Sequence, residues 1–506
     1  MVFRGAICQI KYFILKRIQL NKKVIIIGSG VAGLALSVRL KSKGYDVEVF
    51  EKNKNVGGKL SDFYLNNFRH DFGPKLFTMP NLVEDIFEDA GVDIKKYFKY
   101  EKLEIACKYF WDDGHIFNAY SDSQKFIDEV HKKFDKEGNK VEEYIFNSKK
   151  KFNLVKKIFL EKSLHKISTY LSFDALKGIL NFLQLNIFIS LNSLNKRYFK
   201  DEKLIQLFNR FATYNGSSPY LTSGIMSIIQ HLEHDLGVFM PKKGIANISQ
   251  SLYNLAVDLG VKFHFNSEID KILIKNKSAL GVSINKINYK ADIIVSNMDI
   301  NLTYDRLLKG YKKPFFIKNY QPSSSAIVFY WNMNKSFSNI SLHNIIFSKD
   351  QMKEFDYIFN RNSIYDDPTV YICSTSKIVK EDAPSGCENW FILINSPFDN
   401  GQNWKKIKKN LRNNIIKKIN STLNVDIESN IIGEKILTPV DIENETLSKF
   451  GSLYGSSSNS IQSAFIRHPN FSKNINNLYF CGGSVHPGGG IPLCLNSAKI
   501  VSDLIN

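Results

Sequence analysis

Three glycines near the amino terminus have the spacing of a phosphate-binding turn. Gly28, Gly30 and Gly33 form GxGxxG between an apolar run, VIII, and a segment with helical apolar spacing. The first glycine permits a tight turn, the second lets a pyrophosphate approach the backbone, and the third lets helix and strand pack closely. Glu51 ends the next segment, DVEVFE, where a carboxylate accepts both hydroxyls of an adenosine ribose and disfavours a 2′-phosphate. The spacing predicts a strand–helix–strand unit that binds a dinucleotide other than NADP.

A second group of glycines decides between NAD and FAD. Gly57–Lys59 follow shortly after the acid, and the segment HDFGPKLFTMP (residues 70–80) then supplies Asp71, Gly73 and Pro74. A plain NAD dehydrogenase does not need this second glycine pair. A chain that wraps a flavin does, because the ribityl and isoalloxazine groups extend well beyond the first phosphate turn. We therefore expect FAD as the cofactor.

The carboxyl terminus repeats the pattern of strand, glycines and helix. An apolar run, LYF, leads into Cys481–Ser497, which is rich in glycine, and Pro492 suits the first turn of the helix that follows. Free backbone N–H groups and the helix dipole at such a turn favour an anion. We expect both ends of the chain to converge on one cofactor, with the glycines bare because that cofactor and its substrate lie against the backbone.

Composition excludes several classes of protein. The chain has 506 residues, of which 43% are apolar, and this suffices for two or three domains of about 150 residues each. Six scattered cysteines without a CxxC pair, and no signal peptide, favour a reduced cytoplasmic chain. The sequence has no uninterrupted apolar run of about 18 residues, so we expect no transmembrane helix. The net charge of +19 suits an anionic membrane or a nucleic acid, but no nucleic-acid-binding module accompanies it, so we expect no nucleic-acid partner.

Four segments together resemble one family. They are GSGVAGL with its downstream acid and GGK, the segment DFGP, the central LGVFMPKKGIANISQSLYNLAVDLGVKFHFNSEIDKI, and the terminal LYFCGGSVHPGGGIP. In this order they resemble the bacterial carotenoid desaturases, FAD flavoproteins of the phytoene desaturase type, over residues 22–506. Within that family, YNGSSPYLTSGIMSIIQHLEH and SVHPGGGIPLCLNSA are most similar to the 1-hydroxycarotenoid 3,4-desaturase branch.

Spacing and resemblance together give a set of candidate site residues. The candidates for binding FAD are Gly28, Ser29, Gly30, Val31, Ala32, Gly33, Glu51, Lys52, Gly58, Lys59, Leu60, Asp71, Gly73, Pro74, Ile269, Gly482, Gly483, Gly489, Gly490, Ile491 and Pro492. The resemblance implies that Ile269 meets the adenine through its backbone. His486, among the second glycines, is the candidate for orienting the substrate or transferring a proton. The segment His231–Asp235 offers no third ligand at a spacing known for metal sites, so we expect no metal.

The resemblance implies the removal of two vicinal hydrogens from an acyclic carotenoid, which extends its conjugation by one double bond. The specific expectation is 3,4-desaturation of a 1-hydroxycarotenoid, with oxygen or a quinone as electron acceptor. We hypothesise hydride loss to the flavin and then proton loss from the neighbouring carbon, which needs no strong base because the intermediate cation acidifies that proton. Alternatives are a phytoene desaturase, a carotenoid isomerase of the same family, and a prenyl-lipid escort protein without catalysis.

The expected fold is α/β, with a Rossmann-type FAD-binding domain of the glutathione reductase or amine oxidase kind and an inserted α+β substrate domain. Residues 1–21 form a basic amphipathic or disordered extension. Residues 22–98, 236–300 and 465–506 form the FAD-binding domain, residues 99–139 and 301–464 the sheet of the substrate domain, and residues 140–235 a helical part that faces the substrate and the membrane.

The helical part combines lysines with apolar residues. Its lysines are Lys149, Lys150, Lys151, Lys156, Lys157, Lys162 and Lys166, which flank Phe152 and Val155. Its second apolar stripe consists of Leu176, Ile179, Leu180, Leu183, Ile187 and Leu191. Such a surface suits binding to anionic lipid, and the expected location is the cytoplasm, at the inner face of the cell membrane. The alternative is an ordinary solvated face above an ordinary core.

Overall fold

The computed structural model describes residues 22–134, 137–171, 181–318, 320–460, 463 and 467–505. The expected extension over residues 1–21 therefore lies outside the described residues, as do Leu176, Ile179 and Leu180 of the apolar stripe and the side chain of Leu183. Among the described helices, none combines the length and the apolar character that crossing a bilayer demands.

The described residues form strands and helices, with runs of consecutive strands and, among the longer helices, one run of consecutive helices. The strands are β1 (Lys23–Ile27), β2 (Asp46–Phe50), β3 (Asp62–Leu65), β4 (Phe68–Asp71), β5 (Tyr100–Lys102), β6 (Ile105–Phe110), β7 (Ile116–Tyr120), β8 (Phe239–Pro241), β9 (Lys262–His264), β10 (Lys271–Lys275), β11 (Ser278–Ile284), β12 (Ile287–Lys290), β13 (Ile293–Ser296), β14 (Ser325–Met333), β15 (His343–Ile346), β16 (Val370–Cys373), β17 (Glu388–Ser396), β18 (Ile431–Leu437) and β19 (Leu478–Phe480). The described helices of eight or more residues are α1 (Val31–Ser42), α2 (Asn81–Asp89), α3 (Ser123–Lys133), α4 (Gly138–Val155), α5 (Leu191–Tyr198), α6 (Glu202–Asn209), α7 (Asn247–Asp258), α8 (Gln351–Phe359), α9 (Trp404–Leu423), α10 (Pro439–Thr446) and α11 (Ile491–Leu504).

A five-stranded parallel sheet joins the two ends of the chain. Its order is β19-β13-β1-β2-β9, so the last strand lies two places from the first. Every residue of α1 from Val31 to Leu40 is buried, because this helix packs between the sheet and the helices α7 and α11. The continuous apolar runs of β1 and β13 are typical of parallel strands that are covered on both faces. The predicted α/β class is confirmed.

The five-stranded sheet forms one layer, and a seven-stranded sheet of order β18-β14-β17-β16-β15-β6-β7 forms a second. All nine residues of β14 are buried, and they alternate between the two faces of the sheet. Phe329 and Trp331 belong to a core that includes apolar residues of α9, while Val328 and Tyr330 point to the other face. That other face forms the wall of a large cavity.

Several residues of the helical part that were expected to face lipid are instead buried within the protein. Phe152, Val155, Ile187 and Leu191 are all buried, and Lys151 is 7% exposed with its ammonium 3.4 Å from the hydroxyl of Ser227. At these positions the structure agrees with the alternative interpretation, in which the apolar residues form an ordinary protein core.

A buried cluster of charges around Arg69 of β4 ties the two layers together. Its guanidinium donates to Asp62 of the adjacent strand at 2.6 Å, to Asp71 at 2.7 Å and to Asp382, beside the seven-stranded sheet, at 3.0 Å. Asp71 also accepts the backbone N–H groups of Ile245 and Ala246 at 3.0 Å. Burial disfavours the charge on Arg69, but Asp71, Asp382 and Asp62 more than offset this and raise its pKa.

We expect Arg69→Met to shift the midpoint of urea unfolding by an amount equivalent to about 3–5 kcal/mol, because it leaves two buried carboxylates without their cation. The matched control is Arg412→Met, which removes a guanidinium that also contacts two carboxylates, Glu428 and Glu434, but nearer the solvent. The control should lose no more than about 1 kcal/mol. Equal losses in the two variants would contradict a linking role for Arg69.

Candidate functional site

A single cavity runs from the carboxyl edge of the parallel sheet to the inner face of the seven-stranded sheet. Every residue predicted to bind FAD lines this cavity except Ser29, Gly33 and Asp71. The amino-terminal and carboxyl-terminal glycine segments therefore face one space, although more than 400 residues separate them in the chain. Ligands of open parallel sheets bind at this edge, beyond the carboxyl ends of the strands.

The first glycine turn leads into the start of α1, where the first backbone N–H groups of the helix have no partner within the helix itself. Gly30 is the N-cap residue, and it has no side chain of its own to cap the helix. Gly33 does not line the cavity, because it faces the turn itself, where an added Cβ would lie 2.3 Å from the carbonyl oxygen of Gly28. The first and second glycines thus leave room for a ligand, and the third allows helix and strand to pack. This cradle fits a pyrophosphate.

The Glu51 carboxylate is held in place by its neighbours. Its Oε2 accepts the backbone N–H of Ser29 at 2.9 Å and the Ser29 hydroxyl at 2.8 Å, while Oε1 accepts the backbone N–H of Asn53 at 2.9 Å. Ser29, which was predicted to contact the cofactor, instead orients the acid. Since Oε2 accepts two hydrogen bonds and Oε1 only one, Oε1 keeps a lone pair that can still accept a hydroxyl of a ribose.

Asn297, at the end of β13, is a site residue that sequence reasoning missed. Its Oδ1 accepts the backbone N–H of Gly33 at 3.2 Å, and its Nδ2 donates to the carbonyl of Cys481 at 3.0 Å. The same side chain lines the cavity and lies where a Cβ on Gly30 or Gly482 would come within 2.9 Å of it. It therefore fixes the two glycine segments relative to each other.

The loop around Lys59 closes another side of the cavity. The ammonium of Lys59 donates to the carbonyls of Ser452 at 3.3 Å and Leu453 at 3.0 Å, and burial lowers its pKa. The carbonyl of Lys59 lies 2.2 Å from where a Cβ on Gly73 would be. Three segments that are distant in sequence are therefore held together here, which fits the long cofactor inferred from the second glycine pair.

The carboxyl-terminal glycines precede α11, as predicted. Gly490 is its N-cap residue with a φ of 106°, and Pro492 stands in the first turn. Among the described residues, no atom beyond its chain neighbours lies within 4 Å of an added Cβ on Gly490, so the backbone conformation rather than the available space requires glycine at this position.

Besides Ser29 and Gly33, two further predicted site residues, Asp71 and His486, do not line the cavity. Asp71 belongs to the Arg69 cluster. His486 is 2% exposed, and its Nε2 is 2.9 Å from the carbonyl oxygen of Lys162. Burial lowers the pKa of His486 to about 4, so the neutral ring donates through Nε2 to that carbonyl. The structure does not bring His486 to the space that a substrate would occupy.

The part of the cavity beneath the seven-stranded sheet is largely apolar. Tyr330 of β14, Phe391 of β17 and Tyr371 of β16 stand side by side across neighbouring strands. The wall also includes Arg210, whose guanidinium binds Glu233 at 2.7 Å, so this acid of the segment His231–Asp235 is part of a buried ion pair. An aromatic wall of this kind suits a long apolar ligand.

Comparisons with known proteins agree with this geometry. The family described as "Flavin containing amine oxidoreductase" matches residues 31–506. The chain is 51% identical over 487 residues to a 1-hydroxycarotenoid 3,4-desaturase of Flavobacterium sp., covering 96% of this chain and 99% of that protein. It is 30% identical over 493 residues to a 4,4'-diapolycopene oxygenase of Methylomonas sp., covering 96% and 98%.

Two solved structures show the same fold. An oxidoreductase from Methanosarcina mazei superimposes with a TM-score of 0.65 at 14% sequence identity, covering 95% of this chain and 100% of that chain. Putrescine oxidase bound to putrescine gives a TM-score of 0.61 at 12% identity, with coverage of 96% and 98%. The amine oxidase kind of flavin-binding fold is confirmed.

We expect Asn297→Ala to weaken the binding of FAD by about tenfold, since two hydrogen bonds that join the glycine segments are lost. The measurement is the dissociation constant of FAD by quenching of flavin fluorescence, together with the flavin-to-protein absorbance ratio after purification. The control is Asn288→Ala on β12, an exposed asparagine away from the cavity. Unchanged FAD affinity in Asn297→Ala would remove the joining role.

Proposed function

We propose that this chain, which belongs to the family of flavin containing amine oxidoreductases, catalyses the 3,4-desaturation of a 1-hydroxylated acyclic carotenoid. The chain is an FAD-dependent oxidoreductase. The observation that carries the choice of reaction is the 51% identity to a 1-hydroxycarotenoid 3,4-desaturase across 99% of that protein. This similarity favours desaturation over the isomerase and lipid-escort alternatives.

The geometry supports a division of labour within the cavity. When bound, FAD supplies the two-electron redox chemistry. The two glycine turns and Glu51 would hold its phosphates and ribose, and the segments around Lys59 and Gly73 would enclose the flavin end. The aromatic wall of Tyr330 and Phe391 would orient the polyene and exclude water from it. Oxygen or a quinone is the proposed electron acceptor.

The test of this function is the pigment profile of a bacterium that carries the gene together with companion genes for either phytoene or a 1-hydroxylated acyclic carotenoid. We expect a new pigment with absorption at longer wavelength only with the hydroxylated substrate, because one conjugated double bond is added. Gly33→Val, whose side chain would collide with the carbonyl of Gly28 and distort the first glycine turn, should abolish the shift. A coloured product from phytoene would assign the chain to an earlier desaturation instead.

We also propose that the protein binds peripherally to the inner face of the cell membrane. Ile167 and Leu171 are 81% and 82% exposed, and Phe315 is 57% exposed. The two segments that carry them adjoin, since the rings of His165 and Phe316 are 5.8 Å apart. Exposed lysines surround them, among them Lys162, Lys166, Lys312 and Lys318. Apolar side chains beside cations suit a surface of anionic lipid.

We expect the double variant Ile167→Asp, Leu171→Asp to lose most of its co-sedimentation with vesicles of phosphatidylglycerol and phosphatidylethanolamine. The added charges would have to enter the apolar boundary of the bilayer. Ile287→Asp, which alters an isoleucine that is 60% exposed on β12, is the matched control and should sediment as the wild type does. If the double variant and the control sediment alike, this surface does not contact lipid.

A further inference from the structure

Lys75 is a buried cation in the wall of the cavity. The residue is 5% exposed, and its ammonium donates to the backbone carbonyl of Asp71. The Asp71 carboxylate is engaged elsewhere, by Arg69 and by two backbone N–H groups. Within the described part of the chain, no carboxylate lies within 4.0 Å of the Lys75 ammonium, and this one hydrogen bond leaves two of its three N–H groups without a protein acceptor.

Two aromatic rings also lie beside this ammonium. It lies 4.1 Å from the centre of the Phe391 ring and 6.0 Å from that of Tyr330, and both rings line the same cavity. Cation–π contact offsets part of the cost of burial but does not saturate the donors. An oxygen atom on a ligand in the cavity would complete the coordination of Lys75.

Lys75 also stands where the two parts of the cavity meet. It follows Gly73, which packs on the Lys59 loop of the cofactor side. On the sheet side, the Tyr330 hydroxyl donates to the carbonyl of Phe72, three residues before Lys75. A group that binds the substrate here therefore acts near the junction with the cofactor side.

We propose that the ammonium of Lys75 binds the hydroxyl oxygen of the substrate, and thereby selects hydroxylated carotenoids and sets which bond reaches the cofactor. This inference rests on the proposed function and deepens it. In a 1-hydroxycarotenoid only C2 separates the hydroxyl-bearing carbon from C3, so a group that holds the hydroxyl fixes the position of the bond to be oxidised. Lys75 is a specificity-determining and positioning residue in this assignment.

The protonation state of Lys75 allows its ammonium to donate a hydrogen bond to the hydroxyl oxygen of a substrate. Burial lowers its pKa to about 8, so the group is mostly charged at neutral pH and loses its proton as the pH rises above that value. The charged and titratable groups that face it are Arg69, His70, Asp71, Tyr330, His343, Cys373 and Asp382. Burial lowers the pKa of His70 to about 4 and of His343 to about 3, and raises that of Cys373 to about 12. None of these three titrates near pH 8.

The test compares two ligands on purified holoenzyme. A 1-hydroxylated acyclic carotenoid and its unhydroxylated counterpart with the same polyene are titrated in detergent micelles, with binding followed by quenching of tryptophan fluorescence. We expect the wild type to prefer the hydroxylated ligand by about 10- to 100-fold, the range for a hydrogen bond to a charged group. Lys75→Met should bind both ligands alike while retaining its flavin.

Lys151→Met is the matched control. Lys151 is another buried lysine whose pKa burial lowers to about 8, but it does not line the cavity, so its removal should leave the preference intact. A second variant, Lys75→Gln, keeps a neutral N–H donor on a side chain that is one bond shorter. It should keep part of the preference and lose its pH dependence, whereas the wild-type preference should fall above about pH 8.

The outcomes separate this inference from the proposed function. A preference for the hydroxylated ligand that survives in Lys75→Met would overturn the role of Lys75 and leave the desaturase assignment standing. Equal binding of both ligands by the wild type would also overturn it. Failure of the wild type to convert the hydroxylated carotenoid in the pigment assay, with the binding preference present and lost in Lys75→Met, would overturn the reaction but not the hydroxyl site.

Discussion

The parallel pairing of β19 with β13, and of β13 with β1, is the constraint on which the rest of the structure depends. Parallel strands present their carboxyl ends at one edge, so the turns after β1, β13 and β19 must face the same space. Asn297 then joins these turns through hydrogen bonds to both glycine segments. Because the site needs both ends of the chain, everything between them is accommodated as an insertion that leaves the sheet and returns to it.

The local parts of the site could be predicted from the sequence. A glycine triplet between an apolar strand and a helix, with an acid after the next strand, is a pattern within about 25 residues that fixes its own geometry. The position of Ser29 beside Glu51 follows from the same unit, but its role differs, because the hydroxyl binds the acid and not the cofactor. A pattern of residue types identifies a turn more readily than it identifies which atoms a side chain contacts.

The long-range parts could not be predicted in this way. The partners of Asn297 lie 264 and 184 residues away, and Arg69 meets Asp382 across 313 residues. An asparagine after a strand, or an arginine within one, carries no local signal of such contacts.

The helical region shows a second limit of prediction from sequence. An apolar stripe beside lysines is the same pattern whether lipid or protein covers it, and Ile187 and Leu191 are covered by protein.

Arg69 and Lys75 are two buried cations in one segment of the chain, and their burial is compensated differently. Arg69 has three carboxylates around it, so its cost of burial is compensated within the protein, and its effect is to join two layers. Lys75 has one backbone carbonyl and two aromatic rings, so its burial is compensated only in part. A cation left incompletely coordinated in the wall of an apolar cavity favours a ligand that brings an oxygen to it. A hydrocarbon polyene without a hydroxyl would leave these donors unsatisfied, and this difference is a physical basis for choosing between two substrates of nearly the same shape.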